Sequence, residues 1–119
     1  MEIESTLTTR TLEDLLGPVN GFKHDYTFES LELFGDVPKP PLDEFKAKYN
    51  DLRDRVIPFE ELRKWRNMKL NECDWSVGND SPISSEKIQE WRTYRQALRD
   101  LPSTTEDPLN PVWPSIPTA

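Results

Sequence analysis

The chain is 119 residues long, room for one domain and not comfortably two. With 15 Lys and Arg against 22 Asp and Glu it carries a net charge of −7, which argues against a general binder of nucleic acid or of an anionic membrane. No stretch approaches the ~20 apolar residues of a spanning helix, and the start, MEIESTLTTR, lacks the basic-then-apolar order of a secretory signal.

Residues 1–25 read as an arm. Thr11 is placed to cap a short helix over Leu12, Leu15 and Leu16, with Gly17 at the left-handed stop and Pro18 unable to continue it. So short a helix is marginal alone and must dock, on its own domain or on a neighbour. Residues 26–34, YTFESLELF, read as one strand, rich in aromatic and branched side chains, with a bulge or two short strands as the alternative because the alternation slips between Phe28 and Leu31. No second convincing strand is visible, so its backbone groups need a partner. Either the strand pairs with residues 3–9, or Leu31, Leu33 and Phe34 belong to an edge added to another chain's sheet.

Pro38, Pro40 and Pro41 make residues 35–41 a stiff connector, completing a segment 26–41. A helical domain over 42–101 follows, with helices predicted at about 42–57, 58–74 and 84–101. The first shows a seam of Phe45, Tyr49, Leu52, Val56 and then Phe59, narrow enough to suit one partner helix. Pro58 should end or kink it and open the second helix. That helix places Leu62, Trp65, Leu70 and Cys73 near one face, with Met68 beside it. Residues 75–83 form a loop marked by Gly78, Asn79, Asp80 and Pro82. Ser84 caps the third helix, whose stripe is Ile88, Trp91, Tyr94 or Arg95, Leu98 and Leu101, and Pro102 should stop it. Residues 102–119 hold five prolines and no Lys or Arg, and should run extended, with Trp113 as an anchor packing back on a groove.

Charge divides along this plan. Residues 1–57 carry 12 acids and 7 bases, residues 58–101 carry 8 of each, and the tail carries 2 acids. Hydrophobic residues are only 34% and prolines number 11, which points to a thin core and stability borrowed from partners.

The residues that carry chemistry are few. Cys73 is single, so no internal disulfide or cysteine zinc cage forms, and His24 is single, so a serine–histidine triad would rest on one loop residue. Gly17, Gly21, Gly35 and Gly78 are too scattered for a phosphate loop. Asp36 with Glu44-Phe-Lys46 fits a degenerate metal-nuclease pattern, but the Glu-x-Lys falls in a predicted helix. Arg63, Lys64, Arg66 and Lys69 around Trp65 are interleaved with acids and read as a solvated face, and a loop of about nine residues is too long for a helix-turn-helix. Cys73 reads as a buried filler, since a helix C-terminus and Asp74 both oppose a thiolate. No catalytic, cofactor or metal site is expected. Trp75 and Trp91 read as core, while Trp65 and Trp113 fit core and contact about equally.

One segment resembles a known pattern. Residues 62–114 read LRKWRNMKLNECDW, a turn-rich loop, EWRTYRQALRDLP and then NPVWP, similar to the tail assembly chaperone family of tailed bacteriophages. Its most specific words are Cys73-Asp74-Trp75 and the run from Trp91 to Pro102, which takes in Tyr94 and Leu98. The resemblance implies a non-enzymatic role in building a tail or tail fibre. The alternative is a permanent virion component, an adaptor or decoration chain of the tail or its fibre. The implied partners are phage tail or tail-fibre proteins, with no nucleic acid and no membrane. The implied location is the virion tail, or the host cytoplasm during assembly. The expected fold is mainly α: a helical hairpin after a kinked helix, a small β element, an N-terminal arm and a proline-rich tail. The candidate contact residues are Leu12, Leu15, Leu16, Leu31, Leu33, Phe34, Trp65 and Trp113.

Overall fold

The computed structural model describes residues 1–78 and 80–118; Asn79 of the predicted loop and Ala119 of the predicted tail lie outside the described residues. The fold is mainly α. In chain order come α1 (Ser5–Leu16), β1 (Phe22–Lys23), β2 (Glu32–Leu33), α2 (Leu42–Asp51), a π turn (Leu52–Val56), α3 (Ile57–Glu72), a 3₁₀ turn (Asp74–Val77) and α4 (Ser85–Thr104). These divide into two compact units, Met1–Val56 and Ile57–Ala119.

In the first unit α1 starts six residues earlier than the predicted Thr11 cap. Glu4 takes the capping position, its carboxylate accepting from the Leu7 N–H. Thr11 is inside the helix, buried, with its hydroxyl donating to the Leu7 carbonyl at 2.7 Å. The threonine-rich start hid this helix, because branched residues lower helix propensity and only packing restores it. At the other end Gly17, at φ 78°, donates its N–H to the Glu13 carbonyl at 2.8 Å.

The single strand over 26–34 is not formed. Phe22 pairs with Leu33 and Lys23 with Glu32 in a short antiparallel ladder, and residues 25–30 between them turn. Tyr26 sits at φ 58°, which no strand interior allows. Ser30 closes the turn: the Asp25 N–H donates to its hydroxyl at 2.7 Å, and that hydroxyl donates to the Thr27 carbonyl at 2.9 Å. The first residues then pair with the loop, the Ile3 N–H reaching the Tyr26 carbonyl at 2.9 Å and the Phe28 N–H the Met1 carbonyl at 2.8 Å. Pairing is thus within the chain, and through residues 1–3, since residues 5–9 are helical.

Phe45, Tyr49 and Leu52 of the predicted seam are buried, and their helix packs on α1. Phe28 meets Phe45 at 5.0 Å between ring centres, and the Tyr49 hydroxyl accepts the Glu4 N–H at 3.0 Å. Lys39 Nζ lies 4.4 Å from the Phe28 ring centre and donates to the Phe28 carbonyl. Pro58 neither ends the helical run nor stands alone as a kink. It is the second residue of α3, and the five-residue π turn before it makes room for a ring that would collide with the carbonyl four residues back.

In the second unit α3 and α4 pack together as the predicted hairpin, joined through the 3₁₀ turn. Ser84 caps α4, its hydroxyl accepting from the Lys87 N–H. Pro102 does not stop α4, which runs on to Thr104. The Thr105 N–H and the Thr104 and Thr105 hydroxyls all donate to the Leu101 carbonyl, which stabilises the last turn past the proline.

Candidate protein-interaction surface

The centre of the hairpin is aromatic. Cys73, Trp91, Tyr94 and Leu98 are buried together, with Leu70, Ile83 and Trp113 packed against them. On α4, positions 91, 94, 95, 98 and 101 fall within one ~120° sector at ~100° per residue, and these five are its buried residues. Trp91 meets Tyr94 edge-on at 5.7 Å and Trp75 at 5.4 Å. Burial pushes the Tyr94 phenol above its ordinary pKa, with Cys73 and Glu72 adding to the shift.

Arg95 is the residue the sequence reading underrated. It is buried, donates from Nη1 to the Leu70 carbonyl at 2.8 Å and to Cys73 Sγ at 3.2 Å, and pairs through Nη2 with Asp74 at 2.9 Å. Burial opposes its charge, but the Cys73 and Asp74 bonds outweigh it and raise its pKa. The guanidinium therefore ties the end of α3 to the middle of α4. The signal was there: position 95 shares the stripe with 91 and 98, and Asp74 is the last acid before the turn.

One predicted core placement changes, that of Trp75, while Trp65, which fitted core and contact about equally, falls on the exposed side. Trp75 is 48% exposed: it closes the 3₁₀ turn with one edge on Trp91 and its other face in water. Trp65 is 51% exposed. On the helix it lies ~60° off the Leu62–Cys73 line and Met68 ~120° off, so both fall on the flank beyond the contact with α4. Trp65, Met68 and Trp75 are thus three large apolar side chains left in water on the second unit. On α4 a cleft of about 360 Å³ is lined by Val77, Arg92, Arg95, Gln96 and Arg99.

The candidate contact residues of the first unit separate. Leu12 and Leu31 are buried and present no surface, because both complete the packing between α1, the turn and α2. Leu15 and Leu33 are half-buried, while Leu16 and Phe34 are exposed. Trp113 is half-buried against the hairpin core, with Lys69 Nζ 5.1 Å from its ring centre.

His24 is placed beside Ser5, Nε2 to Oγ 3.0 Å, but in the wrong sense for attack. Its Nδ1 accepts the Tyr26 N–H at 2.9 Å, so in the neutral ring Nε2 carries the proton and donates to Ser5. Activating a serine needs the reverse. The Asp36 and Glu44-x-Lys46 pattern is split between a turn and α2, and among the described residues no three His, Cys, Asp or Glu gather to hold a metal. Among the described residues no helix is long and apolar enough to cross a membrane.

These features define an α-helical hairpin protein with an aromatic core and a docked C-terminal segment. A family model described as phage tail assembly chaperone protein matches residues 59–118, half of the chain, and the chain belongs to that family. The match begins two residues into α3 and runs through the hairpin and the tail. No curated protein and no solved structure matches the chain.

Proposed function

We propose that this protein acts in building a phage tail or tail fibre through protein–protein contacts, without catalysis, and that its working surface is the exposed apolar flank of the hairpin. The observation that carries this reading is the solvent exposure of Trp65, Met68 and Trp75 inside the family-matched segment. Tryptophan and methionine are enriched at contact sites, and in a chain only 34% hydrophobic three such side chains in water await a covering partner. The partners are tail or tail-fibre proteins rather than nucleic acid or membrane, which fits the acidic balance of the chain. The place of action is the cytoplasm of the infected cell.

The deciding experiment is quantitative mass spectrometry of purified particles beside the lysate that made them. Abundance in the lysate and absence from particles is the expected result for a transient assembly factor. Stoichiometric presence in particles would make the chain a permanent virion component instead. The surface is tested by Trp65→Ala, expected to abolish co-purification with tail proteins while leaving stability within about 0.5 kcal/mol, as for an exposed site. Undiminished co-purification would move the contact elsewhere.

A further inference from the structure

The tail shows a period of three. Prolines stand at 108, 111, 114 and 117. Pro108 is buried in a turn that Asp107 closes, the Asn110 N–H reaching the Asp107 carbonyl at 3.1 Å and the Leu109 N–H its carboxylate at 3.1 Å. Beyond it, residues 111–118 form neither helix nor ladder, and Pro111, Pro114 and Pro117 are half-buried while Val112, Ser115, Ile116 and Thr118 are exposed. A left-handed polyproline helix has three residues per turn, so every third side chain shares one edge. The proline edge therefore faces the second unit, and the intervening residues face water.

Trp113 is the exception to that alternation and the anchor of the segment. It packs on the Cys73, Trp91, Tyr94 and Leu98 cluster between Leu70 and Ile83, with the Lys69 ammonium over its ring. A second hold lies further on, where Lys87 Nζ donates to the Thr118 hydroxyl at 3.3 Å. Trp91 is buried and its Nε1 has no acceptor with the segment in place, so the hold on the segment is Trp113 packing and the two lysines.

We infer that the α3–α4 hairpin carries a binding groove for an extended, proline-spaced segment with one tryptophan anchor, that residues 108–118 are its ligand in cis, and that it accepts the same sequence from a second copy. The occupant is identified by what is already seated there. Proline spacing lowers the entropy cost of docking, the tryptophan supplies the buried area, and Lys69 and Lys87 fix where the segment lies. The segment is joined to α4 through the short stretch 105–107, so exchange between copies needs movement there alone. The inference stands whether the chain is a transient factor or a virion component.

The test uses full-length chains and a synthetic peptide of residues 106–118 whose tryptophan carries one fluorine, read by fluorine NMR. The full-length Trp113→Ala chain, its own anchor removed, should bind the peptide one to one. The unmodified chain should bind it at least ~10-fold more weakly, since its own tail competes at a high effective concentration. The same peptide with Trp113→Ala, followed by isothermal titration calorimetry, should bind neither chain. Equal binding by the two chains overturns the inference, and so does no binding to a Trp113→Ala chain of intact helix content. Should that variant lose its fold, the full-length Pro111→Ala/Pro114→Ala chain replaces it, keeping every hairpin side chain and the anchor, with the same order expected. Unfolding of the hairpin in both variants would make the tail an integral part of the core and overturn the inference as well.

Discussion

Both units have apolar cores, but residues 1–56 set theirs, Phe28, Leu31, Phe45, Tyr49 and Leu52, in a frame of backbone and capping hydrogen bonds, whereas residues 57–119 join their helices by an aromatic cluster and a buried arginine. In the first unit residues 1–3 pair with the 26–28 loop, the Tyr49 hydroxyl holds the start of α1, and Ser30 and Lys39 bind turn backbone. In the second, the links across the hairpin are an aromatic cluster and one buried arginine. The family match lies wholly in the second unit. An aromatic cluster of fixed shape constrains its residues one by one, so it leaves a specific sequence pattern.

The comparison is broken most severely in the two cores. Phe45→Ala should cost about 3–5 kcal/mol and Leu98→Ala about 2–5 kcal/mol, since both side chains are fully buried. Residue-resolved hydrogen exchange should place the first loss within 1–56 and the second within 57–119. Arg95→Leu should follow at about 1–3 kcal/mol, because it strips the Leu70 carbonyl and Cys73 Sγ of a donor in the interior. Arg95→Lys should recover only part of that, since an ammonium does not span three acceptors set for a planar fork. Ser84→Ala, removing the cap of α4, should cost about 0.5–1 kcal/mol in chemical denaturation.

The smallest effect is in pH, and it sharpens the contrast. In the first unit backbone hydrogen bonding and the terminal ammonium hold Glu29 below its ordinary value of 4.5, and Arg55 holds Asp51 below 3.8. Depressed values stabilise the fold above the ordinary pKa, and that contribution is lost as pH falls through the lower folded values. Glu29 is exposed and Asp51 partly so, with solvent screening its pair with Arg55, so Asp51→Asn at neutral pH should leave the denaturation midpoint almost unmoved. In the second unit the Tyr94 value is raised above 10.0. Its contribution is complete below 10.0 and lost as pH rises through the folded value. Phenolate absorbance should then show Tyr94 titrating together with loss of the hairpin, and Tyr94→Phe should remove that alkaline limb.

The hairpin was legible in the sequence because helical periodicity reports a buried face directly: Trp91, Tyr94, Leu98 and Leu101 stand where the spacing puts them. The strand over 26–34 was misread because propensity counts side chains, and a ladder is decided by which backbone groups find partners. Trp75 reads as core and stands half in water, and Trp65, which the sequence leaves even between core and contact, stands exposed. The ~60° between the Leu62 line and Trp65 separates core from water, and only the position of α4 says on which side the boundary falls. Pro102 reads as a stop, because the N–H it lacks leaves the Leu98 carbonyl without its helical donor, yet α4 runs on to Thr104, where donors from Thr104 and Thr105 hold the last turn at the Leu101 carbonyl.

By itself the sequence determined the mainly α class, the hairpin and its aromatic stripe, the acidic balance and the family to which the second unit belongs. Each of these follows from local order along the chain: spacing, charge and specific words. Tertiary structure alone decided the cis pairing of the first residues, the burial of Leu12 and Leu31, the exposure of Trp65 and Trp75, and the edge of the tail that faces inward. Those are outcomes of which surfaces meet, and residues distant in sequence settle them through packing and hydrogen-bond partners that no local window contains.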